Sequence, residues 1–148
     1  DDEMLELYEL AAEVRALAYA PYSGFRVGAA LRARDGRVFA GVNVENASFP
    51  ATICAERGAL MSAVAAGVRD FEAVAVVTDA LEPAAPCGIC RQMLAEFGLD
   101  LQILVAGREG PQHLIRLRDL LPRAFVRSSF ELRSLVMPAQ DTGNERRG

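Results

Sequence analysis

The chain has 148 residues, enough for one domain that buries roughly 68–70% of the surface its unfolded form exposes. Its composition, 51% hydrophobic and 24% charged, is that of a soluble globular protein and excludes a disordered chain. A net charge of −4 without a basic run argues against a protein that binds nucleic acid through its phosphate backbone.

Membrane and secretory signals are not apparent. No apolar stretch reaches the roughly 20 residues that span a bilayer, and no signal peptide opens the sequence. Three cysteines, an odd number, fit a reducing compartment and metal ligation better than a disulfide framework. We therefore expect a cytoplasmic protein with no membrane partner. A single domain is predicted over residues 1–138, with a flexible polar tail over 139–148.

The N-terminal third predicts a helix and two strands. Apolar residues at helical spacing predict a helix over residues 5–18, before a proline. Apolar residues with β-branched side chains predict strands over 25–31 and 38–44. The Asp35-Gly36 pair between them is typical of a hairpin turn.

The middle of the chain alternates helical and strand-like segments. A helix is predicted over residues 52–66, with Thr52 as its N-terminal cap and Gly67 closing it. Continuous apolar runs over 73–78 and 101–106 are typical of strands buried on both faces. Shorter helices are predicted after a proline-containing loop and near the C-terminus, over residues 88–97 and 115–121. Helices between the later strands predict an α/β sandwich.

The cysteines lie in two short motifs, a Cys-Ala-Glu that begins at Cys54 and a Cys-x-x-Cys from Cys87 to Cys90. A catalytic zinc ion usually takes three protein ligands and leaves a fourth position for water. Two residues three apart share a helix face, and helix N-termini favour thiolates. Glu56 and Cys54 are two apart and can converge only at a helix start. Together the motifs predict a zinc site with Glu56 beside it as a proton carrier.

Three thiolates on one Zn²⁺ leave a formal charge of −1, which makes the metal a weaker acid toward its water. Arg57 and Arg91 each follow the site directly in sequence and could offset this charge by hydrogen-bonding the sulfurs. The competing interpretation for both arginines is an ordinary solvated surface charge.

Other interpretations of the cysteines remain open at this point. A Cys-x-x-Cys alone could be a thioredoxin-like redox pair, and buried cysteines can be inert. A structural zinc site would need a fourth protein ligand, for which His113, in a loop-like stretch, is the only histidine. The third cysteine in its Cys-Ala-Glu context favours the catalytic zinc site.

The motifs together resemble those of the small, homotetrameric cytidine deaminases. The resemblance extends from Ala20 to Phe125, and its core motifs are Asn43-Val44-Glu45-Asn46-Ala47, Cys54-Ala55-Glu56-Arg57 and Pro86-Cys87-Gly88-Ile89-Cys90-Arg91-Gln92. It implies a three-layer α/β/α sandwich around a mixed five-stranded sheet. It also implies one zinc ion per chain, bound by the three cysteines, and Glu56 as the residue that exchanges protons with water and substrate.

The resemblance also assigns substrate contacts. Asn43 and Glu45 resemble the pair that hydrogen-bonds the ribose 3′-hydroxyl; the alternative is that they are turn-forming polar residues. Ala55 resembles the position whose backbone meets the pyrimidine, and Phe25 one that lines the base pocket, although a core phenylalanine competes. Phe125 resembles an aromatic residue that stacks on the base in a neighbouring subunit's site, which implies a homo-oligomer.

The implied activity is zinc-dependent hydrolytic deamination of cytidine and deoxycytidine to uridine and deoxyuridine in pyrimidine salvage. One alternative is deamination of another small aminated base or nucleoside analogue, as in blasticidin-type enzymes. A zinc-binding scaffold without catalysis is the other, and Glu56 argues against it, since a structural site has no use for that carboxylate. The chain departs from the common family pattern at Phe49-Pro50, where a tyrosine and a small residue are frequent.

Overall fold

The computed structural model describes residues 1–130, which form a five-stranded sheet with helices on both faces. The strands are β1 (Val27–Ala33), β2 (Val38–Val42), β3 (Phe71–Thr78), β4 (Gln102–Gly107) and β5 (Gly110–Arg116). The helices are α1 (Asp2–Arg15), α2 (Ala55–Ala65), α3 (Gly88–Ala95) and α4 (Leu117–Leu120), with a 3-10 turn at Phe49–Ala51. The sheet order is β2-β1-β3-β4-β5; β3 and β4 are parallel, and the other neighbours are antiparallel.

The two faces of the sheet carry different side chains. Because side chains alternate along a strand, β3 directs Ala73 and Ala75 toward α1 and Val74 and Val76 toward α2 and α3. The alanines leave room for α1, whose Leu7 is almost fully buried against them. Burial of such a leucine contributes about 1.5–3 kcal/mol. The layers confirm the predicted α/β/α sandwich on a mixed sheet.

The N-terminal hairpin follows its sequence signal closely. The ladder between β1 and β2 runs from Gly28 opposite Val42 to Arg32 opposite Val38. Gly36 adopts φ +93°, a left-handed conformation that glycine tolerates and other residues rarely adopt. The predicted turn is therefore confirmed.

The C-terminal edge of the sheet differs from the prediction. The sequence analysis predicted a helix over residues 115–121, but β5 extends to Arg116 and α4 begins only at Leu117. His113, expected in a loop, lies on β5 opposite Val105. As an exposed edge strand, β5 carries polar residues and a proline, so it lacks the apolar run that revealed the buried strands.

The start of α2 also differs from the prediction. Thr52 does not cap the helix; the N-cap is Cys54, and Thr52 ends the preceding 3-10 turn in an extended conformation. The Thr52 hydroxyl instead accepts a hydrogen bond from the backbone N–H of Asn46 at 3.2 Å. The Thr52 side chain therefore stabilises the loop before α2 rather than the N-terminus of the helix.

Residues 1–130 supply both hydrophobic clusters of the sheet. The predicted tail over 139–148, and the last residues of the domain predicted over 1–138, lie outside the described residues. Among the helices of residues 1–130, none combines the length and apolar character that a membrane crossing requires.

Candidate metal centre and substrate cavity

The three cysteines meet where α2 and α3 begin. Cys54 is the N-cap of α2, Cys87 is the N-cap of α3, and Cys90 lies in the first turn of α3. The Sγ atoms of Cys54 and Cys87 are 4.0 Å apart, and those of Cys87 and Cys90 are 3.6 Å apart. All three sulfur atoms lie within 4.8 Å of one another. The sequence prediction that these thiols converge is confirmed.

The donor set fits a zinc ion. With Zn–S bonds of about 2.3 Å and tetrahedral angles, two ligand sulfurs are about 3.8 Å apart, close to the two distances found here. Three thiols are also the soft donors that zinc prefers. His113 is not part of the group of potential ligands that the described residues contain. The cluster thus has the ligand count of a catalytic site rather than of a four-ligand structural one.

A guanidinium lies against the cluster. Nη2 of Arg57 donates to the Thr52 carbonyl at 3.2 Å and to Sγ of Cys54 at 3.6 Å. A hydrogen bond with Cys90, together with Arg57, lowers the pKa of the Cys54 thiol to about 5, although burial opposes its ionisation. The same hydrogen bond with Cys54, followed by burial, raises the pKa of Cys90. The contact with Arg57 therefore favours the thiolate form of Cys54 and offsets part of its charge.

Arg91 binds backbone carbonyls, whereas the sequence analysis considered hydrogen bonds from it to the sulfurs. Its Nε donates to the carbonyl of Pro86 at 2.6 Å, and its Nη1 donates to the carbonyl of Leu120 at 2.9 Å. These bonds join the residue before Cys87 to the end of α4. Arg91 therefore fixes backbone beside the cluster, through hydrogen bonds to carbonyl oxygens rather than to sulfur.

Glu56 is the one buried charged residue among residues 1–130. It is the second residue of α2 and is 6% exposed. Burial raises the pKa of its carboxyl group, and the neighbouring charge of Cys54 raises it further. A carboxyl group with a raised pKa beside a candidate metal centre is suited to carrying a proton.

A cavity of ≈ 270 Å³ adjoins the thiols. It brings together most of the predicted site residues: Phe25, Asn43, Cys54, Ala55, Glu56 and Cys87. Glu45 lines a neighbouring, more open cavity of ≈ 400 Å³ with Tyr22, Ser23 and Phe49. Thr52 lines both, so the two spaces adjoin. Phe49 of the Phe49-Pro50 departure thus lies beside Glu45.

Asn43 and Glu45 both bind the backbone of residues 22–27, which we call the 22–27 segment. Asn43 accepts from the Val27 N–H through Oδ1 and donates to the Phe25 carbonyl through Nδ2, both at 2.8 Å. Glu45 Oε1 accepts from the N–H groups of Tyr22 and Ser23, both at 3.0 Å. The Ser23 hydroxyl also donates to Oε2 of Glu45. This bond and the one from the Ser23 N–H lower the pKa of Glu45, and desolvation opposes them. Both side chains therefore hold this part of the cavity wall in place.

Phe125 lies apart from the cavity of its own chain. Its ring is 56% exposed and packs edge-to-face on Phe130, with centroids 5.2 Å apart. Nε2 of Gln92, on α3, donates to the Phe125 carbonyl at 2.8 Å. The position of Phe125 is therefore tied to the helix that carries two of the thiols.

The sequence analysis missed several residues of the cavity wall. Thr78 at the end of β3, with Val27, Val76 and residues 84–86, also lines the cavity. Thr78 is buried and is the one polar residue in the apolar run of β3. A polar residue at the end of a buried strand is the signal that could have placed it there.

A family model and a protein of known family both match most of this chain. A family model described as "Cytidine and deoxycytidylate deaminase zinc-binding region" matches residues 2–106. A cytidine deaminase of Halalkalibacterium halodurans is 47% identical over 121 residues, which is 81% of this chain and 92% of that protein. Both motifs with the cysteines lie within the matched residues.

Solved structures agree in fold and in sequence. The crystal structure of cytidine deaminase from Burkholderia pseudomallei has a TM-score of 0.79 and 50% identity, covering 82% of this chain and 98% of that chain. The cytidine deaminase of Mycobacterium tuberculosis has a TM-score of 0.72 and 41% identity, covering 84% and 98%. Each match spans nearly the whole of the solved chain.

Proposed function

The chain belongs to the cytidine and deoxycytidylate deaminase family, and on that premise we propose that it catalyses zinc-dependent hydrolytic deamination of cytidine and deoxycytidine. The products are uridine or deoxyuridine and ammonia. One observation carries the proposal: a cluster of three thiols and the buried carboxyl group of Glu56 adjoin one cavity. A scaffold that binds zinc for structure alone has no need of that buried carboxyl group.

Cys54, Cys87 and Cys90 would hold one zinc ion, as their distances allow. When bound, zinc would lower the pKa of a water molecule, so that hydroxide is available as the nucleophile near neutral pH. Arg57 offsets part of the charge of the thiolates through its contact with Cys54.

Glu56 is the proposed proton carrier. Zinc deaminases as a class use a glutamate that is not a ligand for this purpose. Glu56 takes a proton from the attacking water and delivers it to N3 of the pyrimidine as C4 is attacked. It then takes the proton of the new C4 hydroxyl and passes it to the amino group, which leaves as ammonia as the C4–N bond breaks and the C4 carbonyl forms. Burial raises the pKa of its carboxyl group, which favours acceptance of the proton.

Asn43 and Glu45 are proposed to bind the ribose 3′-hydroxyl. Asn43 still has one amide hydrogen and one lone pair beyond its two backbone bonds, so it can bind a hydroxyl without releasing the 22–27 segment. The carboxylate of Glu45 likewise accepts from Tyr22 and Ser23 and retains acceptor capacity. Ala55 contributes its backbone to the pyrimidine, and Phe25 contributes its ring to the base pocket.

Phe125 is proposed to stack on the base in a neighbouring subunit, within a homotetramer. Its exposed side chain, which does not line the cavity of its own chain, supports this role. Large apolar side chains on α2 and α3 are also exposed, namely Met61 and Ile89, and burial against another copy would remove them from water. We further propose that the enzyme acts in cytoplasmic pyrimidine salvage.

The proposal is tested by following ultraviolet absorbance with cytidine, deoxycytidine, cytosine and blasticidin side by side. We expect turnover of the two nucleosides and little of cytosine, because Asn43 and Glu45 have no ribose to bind in the free base. Turnover of blasticidin alone would support the alternative of a nucleoside-analogue deaminase. Absence of turnover with all four compounds, at one zinc per chain, would contradict the proposal.

A further inference from the structure

The 22–27 segment leads into β1 and has few bonds to neighbouring strands. Buried or constrained backbone N–H groups must find acceptors, and here most acceptors are side chains. Glu45 accepts hydrogen bonds from the N–H groups of Tyr22 and Ser23. The Ser23 hydroxyl accepts from the N–H of Phe25, and Asn43 accepts from that of Val27. Arg26 donates its N–H to Oδ2 of Asp79 at 3.0 Å. Asp79 is the one acceptor in this set that is contributed from the end of β3.

The topology explains why Asp79 and Asn43 form a pair. In the sheet, β1 lies between β2 and β3 and is antiparallel to both. The C-terminal ends of β2 and β3 therefore flank the point where the chain enters β1. Asn43 directly follows β2 and Asp79 directly follows β3, so the two side chains bind consecutive N–H groups, of Val27 and Arg26, from opposite sides.

Asp79 is itself held by two cations. Nε of Arg26 donates to its Oδ2 at 3.2 Å, and Nε of Arg15 at the end of α1 is 3.6 Å from Oδ1. Arg15 also donates to the Thr78 carbonyl at 2.8 Å. Burial opposes ionisation of Asp79, but the bonds from Arg26 and the charges of both arginines outweigh it and lower the pKa. The Asp79 side chain is 18% exposed, so it is better shielded from solvent than Asp70, which is 71% exposed in its pair with Arg34.

We infer that Asp79 is a positioning residue for substrate binding, because it holds the wall formed by Phe25 and Val27 against the cavity. The inference rests on the proposed function only for the identity of the substrate. Asp79 is not among the residues that line the cavity, whereas Phe25 and Val27 are. Within residues 1–130, its hydrogen bonds and ion pairs go to Arg15 and Arg26 rather than to the thiols or Glu56. Its loss should therefore weaken nucleoside binding while sparing the metal and the chemical step.

The test compares Asp79→Ala with a matched control, Asp70→Ala. Asp70 lies at the opposite end of β3 and pairs with Arg34 at 2.8 Å, but its side chain is 71% exposed. We expect Asp79→Ala to raise KM for cytidine about tenfold with kcat changed less than about twofold, at one zinc per chain. Asp79→Asn retains an oxygen for the Arg26 N–H, so it should restore part of the loss. Asp70→Ala should leave KM unchanged.

Hydrogen–deuterium exchange of the 22–27 segment provides a readout that does not depend on activity. We expect faster exchange in Asp79→Ala and wild-type exchange in Asp70→Ala. Unchanged exchange in Asp79→Ala would overturn the inference, and so would faster exchange with an unchanged KM. Loss of kcat and of zinc at constant KM would overturn it as well. If Asp79→Ala does not fold, Asp79→Asn takes its place in both measurements. If the wild type deaminates no nucleoside, the proposed function fails, while the exchange result still decides whether Asp79 holds the segment.

Discussion

Gly41 of β2 and Gly58 of α2 face each other at a close approach of the helix to the sheet. A Cβ on Gly41 would lie 2.3 Å from the backbone nitrogen of Ala59 and 2.4 Å from the carbonyl oxygen of Ala55. A Cβ on Gly58 would meet only ordinary contacts, the nearest at 3.5 Å. The first turn of α2, which presents Glu56, therefore rests directly on the backbone of β2 at Gly41.

Gly41→Ala and Gly58→Ala should have opposite effects on stability. At Gly41 the added methyl group must displace the first turn of α2, and overpacking of this kind costs about 1–3 kcal/mol or more. At Gly58, within a helix and with room for a methyl group, alanine should stabilise by up to about 1 kcal/mol. Urea denaturation measures both free energies, and elemental analysis should find less zinc in Gly41→Ala alone. Equal effects of the two changes would contradict the close approach.

Glu56→Gln should abolish most deamination while the protein keeps one zinc ion per chain. The amide keeps the shape of the side chain but cannot carry a proton, and general acid–base catalysis is typically worth about 10²–10⁴-fold. Steady-state kinetics with cytidine and elemental analysis of the same samples measure the two outcomes. Glu9→Gln, on the exposed face of α1, is the control and should behave as wild type. Near-normal turnover of Glu56→Gln would rule out Glu56 as the proton carrier.

Cys87→Ala should release zinc, whereas Ile89→Ala should not. Both positions lie at the start of α3, and Ile89 is 62% exposed between the two cysteines. Removal of one of three ligands leaves too few donors for a catalytic zinc site. Metal content after gel filtration without added zinc distinguishes the two variants. Full zinc occupancy in Cys87→Ala would show that the ligand assignment is wrong.

Phe125→Ala should raise KM for cytidine about fivefold without loss of zinc, as expected for one aromatic contact of about 1 kcal/mol. Leu17→Ala removes another exposed apolar side chain, 77% exposed, and should leave KM unchanged.

Mixed oligomers decide whether Phe125 acts in a neighbouring subunit. A Phe125→Ala subunit keeps Glu56, and a Glu56→Gln subunit keeps Phe125. Co-refolding of the two should therefore restore a low KM in part of the sites. If the mixture shows only the sum of the two separate activities, the ring does not act across subunits.

Much of the fold follows from local sequence signals, because those signals have local causes. The Asp35-Gly36 turn and the apolar run of β3 need no tertiary information, and both are confirmed. Strand β5 was missed because most of its residues are exposed and lack an apolar run, and its place in the sheet depends on its pairing with β4.

The site was predictable in its chemistry but not in its supporting contacts. The spacing of Cys87 and Cys90 indicated one pair of ligands, since residues three apart share a helix face. Cys54 was added from the ligand count of a catalytic zinc site, and the cluster confirms it. Arg91 and Asp79 could not be placed in the same way. Their partners, Leu120 and Arg26, are distant in sequence and become neighbours only when the sheet has formed.

Cys54 and Cys87 are 33 residues apart, and β3 lies between them. In the proposed site, zinc is therefore also a reversible cross-link that closes this loop, much as a disulfide would do in an oxidising compartment. The free energy of unfolding then depends on the concentration of free zinc. Binding of zinc stabilises the native state by mass action, and a chelator removes this stabilisation. The metal that supplies the chemistry would thus also determine how long the two helix starts stay together.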